Sequence, residues 1–586
     1  SASEPRLRGA IERALHDNGL VGAVWSQITP NGAIEVDAAG LKDARTGTRL
    51  SAEDRVHVGS IAKVLLATGV LRLVSENRLD LEAPVTHLLP RLKFENPWET
   101  SDPIRVRHLL DHTSGLDDAR LWQVFSMRPQ ADTPLAAAFP GAAGLLRVRS
   151  RPGSRFSYSN MGYGLLGMLI ESGTGERYER YLNEHLLTAL AMRQSTFLFT
   201  SQVGPGADPR LAMGHFEDRA PHAAVPAYLR PATQFTTTAK DMALLSRFLM
   251  SDGRIDGKPF ISPALLQQMG RPHGTEAERA GLPAGYGLGL ARRDRHGTIG
   301  KCHEGNTVGF LAMLCLFPQQ QKAFFIALNA DSETADYEQF NALLIDALGV
   351  SAEQAQASAA PAHDIAEWDG IYVPAPNRFA TFAWLDTVFS FVSVSWSGTH
   401  LQLGQLQSAD KVLAPHGGLL FRASDRATAS HVLLKSADGS RILSNGFQTF
   451  ERISTAKIGA LWTSLGAGVL GLIYILFSGL ARLMTRRLSA SQPVFAPFMV
   501  VIALLLSLPL FFGQSFLQLG DLTVASATLA AATALLPLAM LVCLGQQIRR
   551  PARGTLATLD VAAALAVLQL TLILAAWGLV PLRLWN

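Results

Sequence analysis

Ser60 and Lys63 stand three positions apart in the run Gly59-Ser60-Ile61-Ala62-Lys63. On a helix such positions share a face, so the amine reaches the hydroxyl. A serine hydroxyl is a weak nucleophile and needs a base beside it. The start of a helix also favours developing negative charge, and Gly59 suits a tight turn into one. The same spacing recurs at Ser408/Lys411, Ser454/Lys457 and Thr237/Lys240. Those three read as chance: the first lies in a strand-rich stretch, the second at the edge of an apolar run, the third in a cap region before a helix at 241–250.

Two further stretches hold possible partners. In Tyr158-Ser159-Asn160 the phenol can serve as a general base if a neighbouring lysine lowers its pKa. The Asn160 amide can hydrogen-bond both a substrate carbonyl and the lysine. The plainer reading is a buried tyrosine and a helix N-cap asparagine ahead of 163–172. In Cys302-His303-Glu304-Gly305-Asn306 a glycine at a strand edge lets backbone approach a ligand. The Asn306 and Ser60 amides could then form an oxyanion hole; the plainer reading is a hairpin turn.

The elements that must position these residues have mixed periods. Residues 7–16, 61–75 and 163–172 read as helices. Residues 22–28 and 33–39 read as a hairpin about Pro30-Asn31-Gly32, and alternating strands follow His296 around Glu304-Gly305-Asn306. Strands at both ends with helices between predict an α+β fold whose terminal strands share a sheet. Residues 1–350 form this unit and 351–363 read as a linker. Residues 364–454 read as a small antiparallel β-domain without a catalytic constellation, a packing or spacer module.

The tail differs in kind. The 586-residue chain is 48% hydrophobic and only 17% charged, against ~25% charged in ordinary soluble chains. Its 52 basic and 48 acidic residues include 8 and 2 after residue 454, leaving 44 and 46 before it. The basic excess is thus confined to the tail, and the rest offers no footprint for nucleic acid. Segments 458–481, 494–512, 522–544 and 556–579 each approach the ~20 apolar residues of a bilayer crossing. They give a transmembrane domain of about four helices over 455–586. Arg482, Arg486 and Arg487 follow the first span and Arg549, Arg550 and Arg553 the third, whereas 513–521 has no Lys or Arg. The positive-inside rule makes the arginine ends cytoplasmic and puts residues 1–454 outside. Trp462 and Trp577 fall near the outer interface. The opening SASEPRLRGA has no apolar core, so any signal peptide is expected to be already removed. Of three cysteines, Cys302 and Cys315 read as out of register on one hairpin, so no disulfide is expected. No metal or organic cofactor is implied.

The runs VHVGSIAKVLLATGV, RHLLDHTSGL, PGSRFSYSNMGYGLLG and GKCHEGNTVGF, in this order, resemble the serine β-lactamase and penicillin-recognising hydrolases, specifically the class C branch, over about residues 8–350. The resemblance implies a two-lobed fold with the site between the lobes. It makes Ser60 the nucleophile and Lys63 and Tyr158 the proton-transfer pair. Asn160, His303, Gly305 and Asn306 then bind substrate or oxyanion, and His112 is a structural loop residue. His303-Glu304-Gly305 replaces the β-lactamase Lys-Thr-Gly. An imidazole anchors a carboxylate less well than an ammonium, so substrates blocked beside the scissile bond are expected to be preferred. The membrane tail resembles prodrug-activating peptidases such as the colibactin-maturation peptidase. The expected protein is a serine peptidase or amidase of a bacterial inner membrane, acting in the periplasm through an acyl-enzyme on D-residue-containing or N-acylated peptides. An esterase or transacylase, a D-Ala-type peptidoglycan peptidase and, least favoured, a penicillin-sensing receptor are the alternatives. The expected partners are the peptide or acylated-peptide substrate and the lipid bilayer, and homo-oligomerisation is left open.

Overall fold

A computed structural model describes residues 4–586; the first three residues of the opening segment lie outside the described residues. An eight-stranded sheet runs in the order Gly285–Gly287, Leu290–Arg295, Thr298–Thr307, Phe310–Phe317, Lys322–Leu328, Gly22–Ile28, Ile34–Asp43 and Thr48–Arg49. The strand Gly22–Ile28 is buried along its whole length because both faces are covered. Trp25 and Phe324 face the terminal helices Pro5–Asp17 and Glu338–Leu348. Val24 and Phe325 face the helical lobe.

That lobe is built around the helix Ala62–Ser75, most of whose side chains are buried. Gly69 lets Leu182 lie against its backbone. Beside it runs Asn160–Thr174. Here the N-cap is Ser159, not Asn160: its hydroxyl accepts the Gly162 amide, and Gly175 ends the helix at φ +72°. The other two serine-lysine spacings also resolve. Ser454 caps the first tail helix by accepting the Lys457 amide, and Ser408 lies on an exposed connection. The cap before Ala239–Leu249 is Thr238.

Two expectations are overturned. Glu304-Gly305-Asn306 is not a turn but the interior of the strand Thr298–Thr307. The turn lies at Val308-Gly309, so Cys302 is directly opposite Cys315, and the two form a disulfide. The stretch read as a linker also contributes a strand, Ala359–Pro361, parallel to Lys411–Gly418. The second sheet closes on itself because Lys411–Gly418 pairs with both Leu401–Gly404 and Leu420–Ala423. This small antiparallel barrel is filled by Trp368, Tyr372, Leu401 and Phe421.

Four helices, Thr455–Met484, Phe495–Phe512, Val524–Arg549 and Thr555–Ala576, are long and apolar enough to cross a membrane. The connection between the second and third is seated on the helical lobe. The Asp521 carboxylate accepts from Ser126 Oγ (2.5 Å) and the Met127 amide (2.9 Å), the Gly520 amide donates to Phe125 O, and Phe516 meets Phe125 and Phe216 edge-on. Asp521→Ala should therefore raise hydrogen exchange at Ser126–Arg128 about tenfold or more, the loss of one charge-assisted hydrogen bond being worth ~1.5–3 kcal/mol. Unchanged exchange there would show that the seat does not depend on this carboxylate.

Candidate active site

Ser60 sits in the short 3-10 turn Gly59–Ile61 that leads into Ala62–Ser75. Gly59 has φ +54°, and a Cβ there would lie 2.5 Å from Asn306 O and 2.6 Å from Asn306 N. Gly305 likewise leaves no room for a side chain against Val58 O. The two glycines press the strand Thr298–Thr307 onto the serine turn and bring the Asn306 backbone beside Ser60.

The side chains meet as follows. Lys63 Nζ lies 3.0 Å from Ser60 Oγ, 2.7 Å from Asn160 Oδ1 and 3.0 Å from Ala232 O. The Tyr158 hydroxyl donates to Ser60 Oγ at 2.8 Å. Lys63 is 0% exposed, and burial lowers its pKa to about 7 against the opposing field of Asp118. Burial moves the Tyr158 phenol the other way, upward. A neutral Lys63 has two N–H groups for Asn160 and Ala232 and one lone pair for the Ser60 hydroxyl. The site can thus deprotonate a serine without a histidine.

Asn160 is held in turn. Its Nδ2 and backbone amide both donate to Asp118 Oδ1, at 2.7 and 3.0 Å, which fixes its oxygen toward Lys63. Asp118 Oδ2 accepts from Arg378 Nε at 2.5 Å, and the Arg378 guanidinium lies 4.8 Å from the Tyr158 ring centre. His112, at φ +57°, accepts the Ser159 amide on Nδ1, and its ring lies 4.4 Å from that of Tyr158. Burial keeps it neutral, well below the usual histidine range; it braces Tyr158.

His303 lines the cleft, with both nitrogens engaged. Nδ1 donates to Glu304 O (2.7 Å) and Nε2 accepts from Tyr286 OH (2.9 Å). Burial holds it down to about 3, so at neutral pH it carries no charge for an anion.

The cleft is about 500 Å³. One wall comes from the β-barrel, through Lys411, Arg426, His431 and Phe447, so that module is more than a spacer. Arg378, in the connection between the barrel strands Gly370–Pro374 and Val392–Trp396, and Tyr286 escaped the sequence reading because neither stands in a recognisable spacing. Six basic side chains line the cleft (Arg292, Arg293, Arg295, Arg378, Lys411, Arg426) against the acidic Asp294 and Glu304. Asp294 is spent on the Ala427 and Thr428 amides. Among the described residues, no group of three or more His, Cys, Asp and Glu side chains is placed to hold a metal ion.

A serine, lysine and tyrosine gathered at the seam of a helical lobe and an antiparallel sheet are the arrangement of a β-lactamase-like, two-lobed serine hydrolase. Residues 7–348 match the Beta-lactamase family, and the chain belongs to it. It is similar to penicillin-binding protein 4 of Amycolatopsis lactamdurans, 27% identical over 53% of this chain and 82% of that one. It is also similar to the esterase EstB of Burkholderia gladioli, 29% identical over 33% of this chain and 51% of that one. Among solved structures, SurE with D-Leu superposes with a TM-score of 0.51 at 23% identity, covering 77% of this chain and all of that one.

Proposed function

We propose that this protein is a membrane-anchored amidase or peptidase acting through an acyl-enzyme. Ser60 attacks the carbonyl as its proton passes to Lys63. The oxyanion rests on the amides of Ser60 and Asn306. Tyr158 relays the proton to the leaving amine, and water then releases the acyl group by the reverse path. The observation that carries this reading is the Lys63 amine, buried, 3.0 Å from Ser60 Oγ and already supplied with two carbonyl acceptors.

The substrate class we favour is a peptide or N-acylated peptide amide, with a D-residue at the cleaved bond and a free carboxylate nearby. Arg378 supports the carboxylate. Its Nε is taken by Asp118, its two terminal nitrogens donate to no protein group among the described residues, and its side chain is 56% exposed in a basic cleft. A planar fork of this kind suits a carboxylate. That reverses the preference expected from His303, because the charge missing from the strand comes from the neighbouring module. The catalytic unit sits at the ends of the four helices away from the arginine clusters, which supports the extracytoplasmic, periplasmic side.

The test pairs a D-amino-acyl peptide with its C-terminal amide. The wild type should hydrolyse the free acid faster, and Arg378→Gln should lower the acid-to-amide ratio of kcat/KM by roughly tenfold or more, the value of a charge-assisted hydrogen bond. The ratio separates this role from any general loss through Asp118. A ratio that stays put would remove Arg378 from substrate recognition. Turnover of esters alone, with no acyl-enzyme from any amide, would favour an esterase, the activity named for the Burkholderia relative.

A further inference from the structure

A second cavity, of about 820 Å³, lies where the catalytic unit, the β-barrel and the outer ends of the tail helices meet. Its floor is the first turn of the first tail helix, including Lys457, and the stretch after the fourth, including Trp577, Arg583 and Trp585. Its walls come from the helical lobe, with Arg120 and Arg149, and from the barrel edge at Pro374–Asn377. It is separate from the serine cleft: Asn377 faces this cavity and Arg378 faces the other.

The charges around it do not balance locally. Asp117 is paired with Arg120 and Arg149, and Glu451 with Arg155. Lys457 and Arg583 have no side-chain hydrogen bond or ion pair among the described residues, and both are exposed. Their position is unusual for the tail. Of its eight basic residues, six (Arg482, Arg486, Arg487, Arg549, Arg550, Arg553) lie in the last turn or just beyond it at the other ends of the helices. Only Lys457 and Arg583 fall at the catalytic end, where the positive-inside rule disfavours cations, and both line this one cavity. Two tryptophans beside them are the residue type that settles at headgroup depth. The volume falls in the range of small-molecule sites, ~300–1,000 Å³.

From these features we infer that the cavity binds the phosphate headgroup of an anionic phospholipid of the surrounding bilayer. Lys457 and Arg583 hold the phosphate from two separate helix ends, while Trp577 and Trp585 flank the glycerol region. The lipid thereby ties the ends of the first and fourth helices to the catalytic unit.

The experiment uses the full chain in nanodiscs of phosphatidylcholine with a minor fraction of phosphatidylglycerol, followed by native mass spectrometry of the released protein. The wild type should retain phosphatidylglycerol at least about fivefold above its share of the bilayer. The double variant Lys457→Ser/Arg583→Ser should retain it at that share, while keeping wild-type turnover of a soluble ester in detergent, which shows that it is folded. Excess inorganic phosphate should not displace the retained lipid. Equal retention of both lipids by the wild type, or undiminished selectivity in a folded double variant, would overturn the inference. Complete displacement by inorganic phosphate would also overturn it, as it would make the site one for a soluble anion.

Discussion

Ser60→Ala should reduce hydrolysis of both esters and amides by roughly 10⁶-fold, the scale on which a serine hydrolase depends on its nucleophile. The fold should survive. Lys63 keeps Asn160 Oδ1 and Ala232 O as acceptors, and Tyr158 loses one hydrogen bond, worth ~1 kcal/mol. A fluorophosphonate probe should label the wild type on the peptide carrying Ser60 and leave Ser60→Ala unlabelled. Labelling that persists, or that moves to the exposed Ser408, would sink the assignment. Ser454 is a poor substitute, because its hydroxyl already caps a helix. A second variant tests the frame around the nucleophile. Gly305→Ala would force a methyl into Val58 O, so it should push the strand off the serine turn and cut acylation even with Ser60 intact.

What the sequence made legible is local. The helix over 62–75 announces itself through an almost unbroken apolar run, and 163–172 through its apolar face, although its cap is Ser159 and not the asparagine that follows. The four tail helices follow from length and hydropathy alone. The disulfide was not legible because strand register depends on where the turn falls. Placing the turn at Glu304–Asn306 slides Cys302 past Cys315, whereas the turn at Val308-Gly309 sets them opposite. The glycine at 305, which suggested a turn, is instead required by the approach of Val58. Arg378 was hidden for another reason. It acts on the cleft from a different module, 260 residues from its partner Asp118, and no periodicity reports such a distance. The partner itself was also unread, since Asp117-Asp118 looks like any acidic pair in a loop. Only the fold shows Asp118 buried and bonded to Asn160 on one side and Arg378 on the other.

Which group takes the serine proton was open from sequence, and the environment of Lys63 supports the amine. Burial lowers Lys63 to about 7 and raises Tyr158 above the usual phenol range. Near neutral pH a large share of Lys63 is the free amine, while phenolate is scarce. Activity should therefore rise with pH through an ionisation near 7 and level off above it. Lys63→Ala should lower kcat/KM by about 10²–10⁴-fold, the usual contribution of a positioned base, and should erase that ionisation. Tyr158→Phe should also slow turnover but leave the ionisation in place. The reverse pattern, with the ionisation kept in Lys63→Ala and lost in Tyr158→Phe, would make Tyr158 the base. Stability offers an independent check. A lysine whose folded pKa lies below its unfolded value of ~10.4 binds more protons unfolded than folded between the two values. The wild type should gain stability as pH climbs from 7 toward 10, and Lys63→Met should flatten that part of the curve. The cost that burial imposes on the ammonium below pH 7 is the same interaction that makes the free amine available to Ser60 above it.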